Sequence, residues 1–144
     1  MSHQIFVSGA PAAQGSKKFV GVRKGRAVLV EQSKNVGPWR KAVADAAQLN
    51  ADGLLEGPVA LTLEFVMPRP KSTPRRSTPP AVKRPDLDKL ARAICDALTG
   101  IWFADDSRIT HLAATKRLAE IGEKPGVHIT ATVAAPTIRE RTSR

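Results

Sequence analysis

The nine residues Val59 to Met67, VALTLEFVM, follow Gly57-Pro58 and alternate strictly. Val59, Leu61, Leu63, Phe65 and Met67 share one face, and Ala60, Thr62, Glu64 and Val66 the other. Directly after this strand comes PRPKSTPRRSTPPAVKRP, residues 68–85, with six prolines and six cations in eighteen residues. Such a composition cannot bury enough apolar surface to fold by itself, so a mobile or extended loop is expected there. Helical spacing then takes over: Leu87, Leu90, Ala91, Ile94 and Leu98 recur on one face, which predicts a helix from Leu87 to Leu98, ending before Gly100. A strand, a long basic loop and a helix in that order constrain the fold more than any other part of the chain.

The remaining elements are shorter. Residues 4–9, QIFVSG, read as a first strand, and KFVGVRKGRAVLVEQ holds two β-branched runs around Lys24-Gly25, a hairpin signal in a basic segment. GPWRKAVADAAQLNADG is helical from about Pro38 or Trp39, with proline suited to a first turn and Gly53 past the end. IWFADDSRI is a connector. RITHLAATKRLAE and VHITATV both alternate, and the intervening IGEKPG suggests that they form an antiparallel pair. These elements describe an α+β chain, a small mixed or antiparallel sheet with two main helices packed on it. The 144 residues suit one domain, over 1–135, with a basic flexible tail at 136–144.

Charge narrows the partner. Lys and Arg number 23 against 13 Asp and Glu, a formal +10, which favours an anionic partner, most commonly nucleic acid. No acid precedes Glu31, so Lys17, Lys18, Arg23, Lys24 and Arg26 form one cationic stretch; Arg69, Lys71, Arg75, Arg76, Lys83 and Arg84 form a second. These eleven are the candidate phosphate contacts. Five of the thirteen acids (Asp86, Asp88, Asp96, Asp105, Asp106) then fall within 21 residues. A concentrated negative spot sits in a positive field.

Two readings of that spot compete. In the first, Asp86 is the N-cap of the helix and Asp88 complements its dipole. In the second, Asp86 and Asp88 converge at the helix entrance on a divalent cation, Mg²⁺ or Mn²⁺, and Asp105-Asp106 brings a third ligand from another element. A metal so held could polarise a phosphoryl oxygen and lower the pKa of an attacking water, while a nearby cation, Lys89 or Arg92, stabilises developing charge. Four acids gathered in a cationic chain favour the second.

Other reactive side chains carry no chemistry here. Cys95 lies on the apolar helix face and reads as an inert buried thiol; a single cysteine makes no internal disulfide, and with no signal-peptide pattern the expected location is cytoplasmic, on nucleoid DNA. His3, His111 and His128 show no ligand spacing, with the last two expected on strands. Trp39, Trp102 and Phe103 are read as core or interface rather than as base-stacking platforms. No apolar run approaches the roughly 20 residues that span a bilayer, so no membrane partner is expected.

The stretch RPDLDKLARAICDALTGIWFADDSRI, residues 84–109, resembles the signature of the RusA family of Holliday junction resolvases, metal-dependent endonucleases often carried by phages. The matching features are the D-L-D of Asp86, Leu87 and Asp88, a cation soon after, the DAL of Asp96 to Leu98, and the WFADD of Trp102 to Asp106. The resemblance implies a homodimeric α+β nuclease that cuts four-way DNA junctions by paired symmetric nicks, in recombination and repair, using Mg²⁺ or Mn²⁺. It puts the metal ligands at Asp86, Asp88 and Asp106. The family's helix lysine falls on Arg92, which keeps the charge but offers a fork and cannot give up a proton; Lys89, next to the D-x-D, is the alternative, with Arg92 preferred. Outside this reading stand a noncatalytic basic nucleic-acid-binding module and a metal nuclease acting on other branched DNA.

Overall fold

A computed structural model describes residues 2–15, 17–23, 26–31 and 35–134, and over 17–31 it describes backbone pairing alone. Strand β4, Val59–Met67, is the centre of a four-stranded sheet ordered β1-β6-β4-β5, where β1 is Ser2–Ser8, β5 is Ile109–Leu118 and β6 is Gly126–Val133. The alternation sets this position. Val59, Leu61, Leu63, Phe65 and Met67 are all buried, and on the opposite face only Val66 is. Strands β2 (Lys17–Arg23) and β3 (Arg26–Glu31) make a separate antiparallel hairpin, as their β-branched runs predict; Lys24 of its turn, and the tail at 136–144, lie outside the described residues.

Helix α1 spans Val36–Leu49 and buries Val36, Trp39, Val43 and Ala47, a stripe at spacings of three and four. Helix α2 spans Leu87–Leu98, the bounds that the periodicity predicts. It buries Leu90, Ala91, Ile94, Cys95 and Leu98, and it turns Asp88, Arg92 and Asp96 outward. Each fully buried leucine or isoleucine contributes about 1.5 to 3 kcal/mol relative to exposure. Trp102 and Phe103 are core residues with no exposed surface. The Trp102 indole N–H donates to the Ala47 carbonyl (2.9 Å) and packs 5.0 Å from the His3 ring, tying the connector to α1 and β1. Burial is also the main reason that the Cys95 thiol is pushed up to about 11, which keeps it protonated and inert. His111 and His128 stand on β5 and β6, as expected. No helix is long and apolar enough to cross a membrane among the described residues.

One expectation is corrected. β5 and β6 do not pair with each other: β5 runs parallel to β4 on one side, with Phe65 opposite Lys116, and β6 runs antiparallel to β4 on the other, with Phe65 opposite Val127. The alternation of a strand reports its faces, not its neighbour. Here β4, apolar enough to be buried on both edges, takes the centre, and α2 supplies the crossover that a parallel pair requires. The segment 119–125 then only has to hop across one strand, roughly 10 Å. It does so over the end of β4, where the Ala119 N–H donates to the Met67 carbonyl (2.8 Å).

That hop is pinned by charge. Arg117 donates to both carboxylate oxygens of Glu123 (2.6 and 2.7 Å), which also accepts the Glu120 N–H (2.8 Å). The guanidinium and that N–H hold the Glu123 carboxyl down at about 2, from an ordinary 4.5. A depressed folded-state pKa contributes stability that is present above pH 4.5 and is lost as pH falls toward 2. Because both partners are about a third exposed, Glu123→Gln is expected to cost about 1 kcal/mol at pH 7. In urea unfolding the gap between variant and wild type should close as pH approaches 2.

Candidate active site

The entrance to α2 is built by three segments. The chain leaves the Pro-rich loop through Lys83, Arg84 and Pro85, and Asp86 takes the N-cap position with extended backbone (φ −69°, ψ 140°). Its carboxylate makes no capping hydrogen bond and faces the Lys89 ammonium instead, at 3.7 Å. Asp88 lies in the first turn, exposed. The capping role that helix physics offers Asp86 is thus not taken up. Two exposed carboxylates stand at a helix N-terminus, one of them facing Lys89.

Beside them is an open cleft of about 470 Å³, walled by the β1–β2 connection (Ala10 to Gly15) on one side and by Arg84, Asp86 and Lys89 on the other. The wall is fixed to the helix: the Gln14 N–H donates to the Lys89 carbonyl (3.1 Å), and Arg40 donates to the Gln14 side chain (2.9 Å). Under the entrance lies Lys116, whose Nζ donates to the carbonyls of Lys83 (2.9 Å) and Pro85 (2.8 Å). Gln14, Arg40 and Lys116 carry no motif. Their partners lie 26 to 75 residues away in the sequence, so no local pattern points to them.

The third expected acid is elsewhere. Asp106 begins the short 3₁₀ turn Asp106–Arg108 that leads into β5, and Asp105 caps that turn by accepting the Ser107 N–H (3.1 Å). A hydrogen bond shared with Asp105 raises the Asp106 pKa most, with smaller contributions from burial and from the charges of Asp105 and Asp96; Asp105 is correspondingly lowered, chiefly by the Ser107 N–H. Asp106 is therefore near Asp96, ten residues and about 15 Å along the helix from Asp86. The strand agrees: Lys116 touches the entrance, and seven strand residues separate it from Ile109, about 23 Å. Asp86 and Asp88 stand at the start of α2, and Asp106 lies toward its end. Among the described residues no three of His, Cys, Asp and Glu gather closely enough to hold an ion.

The Pro-rich segment carries no helix or strand, as its composition predicts. Arg69 is its anchor, its guanidinium donating to the Pro74 and Ser77 carbonyls (2.7 Å each), to Thr78 Oγ1 (2.8 Å) and to the Ala119 carbonyl (3.3 Å). Both of its terminal nitrogens are engaged within the protein. Lys71, Arg75, Arg76, Lys83 and Arg84 are exposed and make no ion pair among the described residues. Arg92 is exposed and unpaired in the same sense, whereas Lys89 is engaged by Asp86. Of Lys17, Lys18, Arg23 and Arg26, strand pairing is described and side-chain placement is not.

A family model described as Endodeoxyribonuclease RusA matches residues 8–132. The chain belongs to the RusA family. The match begins at the end of β1 and closes in β6, so it takes in the cleft wall, the Pro-rich loop, α2 and both acidic sites. The chain is also similar to the uncharacterized protein YqaN of Bacillus subtilis (strain 168), at 26% identity over 123 residues, covering 79% of this chain and 86% of that protein. RusA-family membership makes this chain a DNA endonuclease of the junction-resolving kind. The open cleft and unpaired cations at the entrance to α2 fit a DNA backbone as partner.

Proposed function

We propose that this RusA-family nuclease is a homodimer that hydrolyses four-way DNA junctions by paired symmetric nicks, in recombination and repair, with a divalent cation at Asp86 and Asp88. One observation carries the reading. Asp86 and Asp88 stand exposed at the entrance to α2, with no capping hydrogen bond from Asp86, beside a cleft lined by Lys89, which faces Asp86, and by Arg84, which makes no ion pair among the described residues.

The donor set fits Mg²⁺ or Mn²⁺, hard ions that take one or two protein carboxylates together with water and phosphate oxygens. Asp86 and Asp88 would hold the ion. Asp106 of the same chain stands at the far end of α2, so the Asp106 that completes the set is the partner subunit's. Asp106 is exposed and opens an edge strand, which leaves it accessible to a second copy. A two-fold dimer then holds two equivalent sites, which is what cutting two strands of a symmetric junction needs. When bound, the ion supplies a polarised phosphate and a more acidic attacking water.

The chain's own residues position and neutralise. Lys89 already faces Asp86, so Arg92, one helical turn beyond Asp88, is the cation left to meet charge on the scissile phosphate or the departing oxygen. Lys71, Arg75, Arg76, Lys83 and Arg84 hold the strand backbone, with Lys17, Lys18, Arg23, Lys24 and Arg26 of the hairpin as a second set of contacts, while Arg69 shapes the loop. Two copies carry twice +10, so affinity should fall steeply with salt.

The test compares a four-way junction, a fork and a linear duplex in Mg²⁺ and in EDTA. Paired nicks on opposed strands of the junction, dependent on Mg²⁺, are expected, with binding and no cleavage in EDTA. Equal rates on all three substrates would contradict junction selectivity. Binding without cleavage in either Mg²⁺ or Mn²⁺ would leave a noncatalytic basic module.

A further inference from the structure

Lys116 sits where a lysine is out of place. In β5 it lies opposite Phe65, whose side chain is fully buried, and its same-face neighbours Ala114 and Leu118 pack on the core. A cation on the covered face of a sheet must bring its ammonium out of the apolar layer, and the long stem allows this by running to the end of the strand. The head is not used for an ion pair: Lys116 has no carboxylate partner among the described residues. It donates to two neutral carbonyls, those of Lys83 and Pro85.

These two carbonyls belong to residues three before and one before Asp86. The linker between the Pro-rich loop and α2 has no regular structure, and the side-chain or loop bonds that reach residues 83–85 among the described residues are those two. Without them, the backbone that aims the Asp86 carboxylate is held from the helix side alone, by the Leu90 N–H donating to the Asp86 carbonyl (3.0 Å), whereas Asp88, one residue into the helix, is held by the helix itself. We infer that Lys116 is a positioning residue, which clamps the entrance of α2 to the sheet and so sets Asp86 against Asp88 for cation binding. This rests on the metal platform proposed above. It adds a residue to that platform which touches neither metal nor DNA and acts through the main chain.

The experiment uses the full chain and two readouts. The first is Mn²⁺ binding followed by electron paramagnetic resonance without DNA; the second is the Mg²⁺ concentration giving half-maximal junction cleavage. Lys116→Met keeps the stem and removes the donors. It is expected to weaken Mn²⁺ binding and raise the Mg²⁺ requirement by about tenfold or more, as loss of an outer-shell support does. Saturating Mg²⁺ should restore cleavage, and junction affinity in EDTA should stay as in the wild type. Lys116→Arg, whose fork can meet the same carbonyls, should recover most of the loss. Should Lys116→Met not fold, Lys116→Gln, which keeps a shorter neutral donor, is read in its place. An unchanged Mg²⁺ requirement, or a rate loss that saturating Mg²⁺ leaves in place, would overturn the inference while wild-type cleavage keeps the function intact. If wild-type protein neither binds Mn²⁺ nor cleaves in Mg²⁺, the platform fails and the inference with it.

Discussion

Replacing Asp86 with asparagine should reduce junction cleavage in Mg²⁺ by about 10³-fold or more and leave the fold intact. The size follows from the chemistry: an ion held at the scissile phosphate supplies several kcal/mol of transition-state stabilisation, and each 1.36 kcal/mol is tenfold in rate. Asparagine is as good an N-cap as aspartate, and Asp86 makes no capping bond in any case, so helix stability should change by less than about 0.5 kcal/mol. Binding to the junction in EDTA should be kept or improved, because a negative charge leaves a cationic cleft. Retained cleavage by Asp86→Asn would return the aspartates to ordinary helix-terminus roles.

The largest structural effect should come from Trp102→Ala. The indole has no exposed surface, packs on His3 and donates to Ala47, so it joins the connector after α2 to both α1 and β1. Truncation leaves a cavity and removes the indole hydrogen bond, at a cost of about 3 to 5 kcal/mol. Domains of this size are stable by only about 5 to 15 kcal/mol, so the variant should unfold at a much lower urea concentration. A small shift of the midpoint would mean that the connector reaches the core only loosely. It would equally reopen Trp102 as a base-stacking residue.

The sequence exposes what is periodic and hides what is paired. The bounds of α2 and the faces of β4 were legible because one burial pattern fixes each of them. The neighbours of β5 and β6 were not, since alternation is the same whichever strand lies alongside, and the choice of β4 as a shared centre is made in three dimensions. Arg69 illustrates a second limit. Its place in a cationic run makes it look like the other five, and only the folding of the loop back over it, through Pro74, Ser77 and Thr78, shows its guanidinium to be occupied. Lys116 is the converse, an unremarked lysine in HLAATKRL that matters because a helix entrance 31 residues upstream folds onto it. Asp106 is close to Asp86 and Asp88 in sequence, which suggests one cluster; the helix between them, 12 residues long, parts them.

That separation yields the most direct measurement. On the two-fold dimer proposed above, Asp86→Asn and Asp106→Asn chains are each expected to be inactive when purified alone. Mixed and allowed to exchange subunits, they form heterodimers in which one site has lost both acids and the other has its full set, Asp86 and Asp88 of one chain with Asp106 of its partner. Junction nicking should reappear on mixing, at about a quarter of the wild-type rate when subunits exchange at random, a statistical result of the two-fold arrangement. If both variants are inactive alone and stay inactive after verified subunit exchange, each chain builds its own site and the shared-site account is wrong.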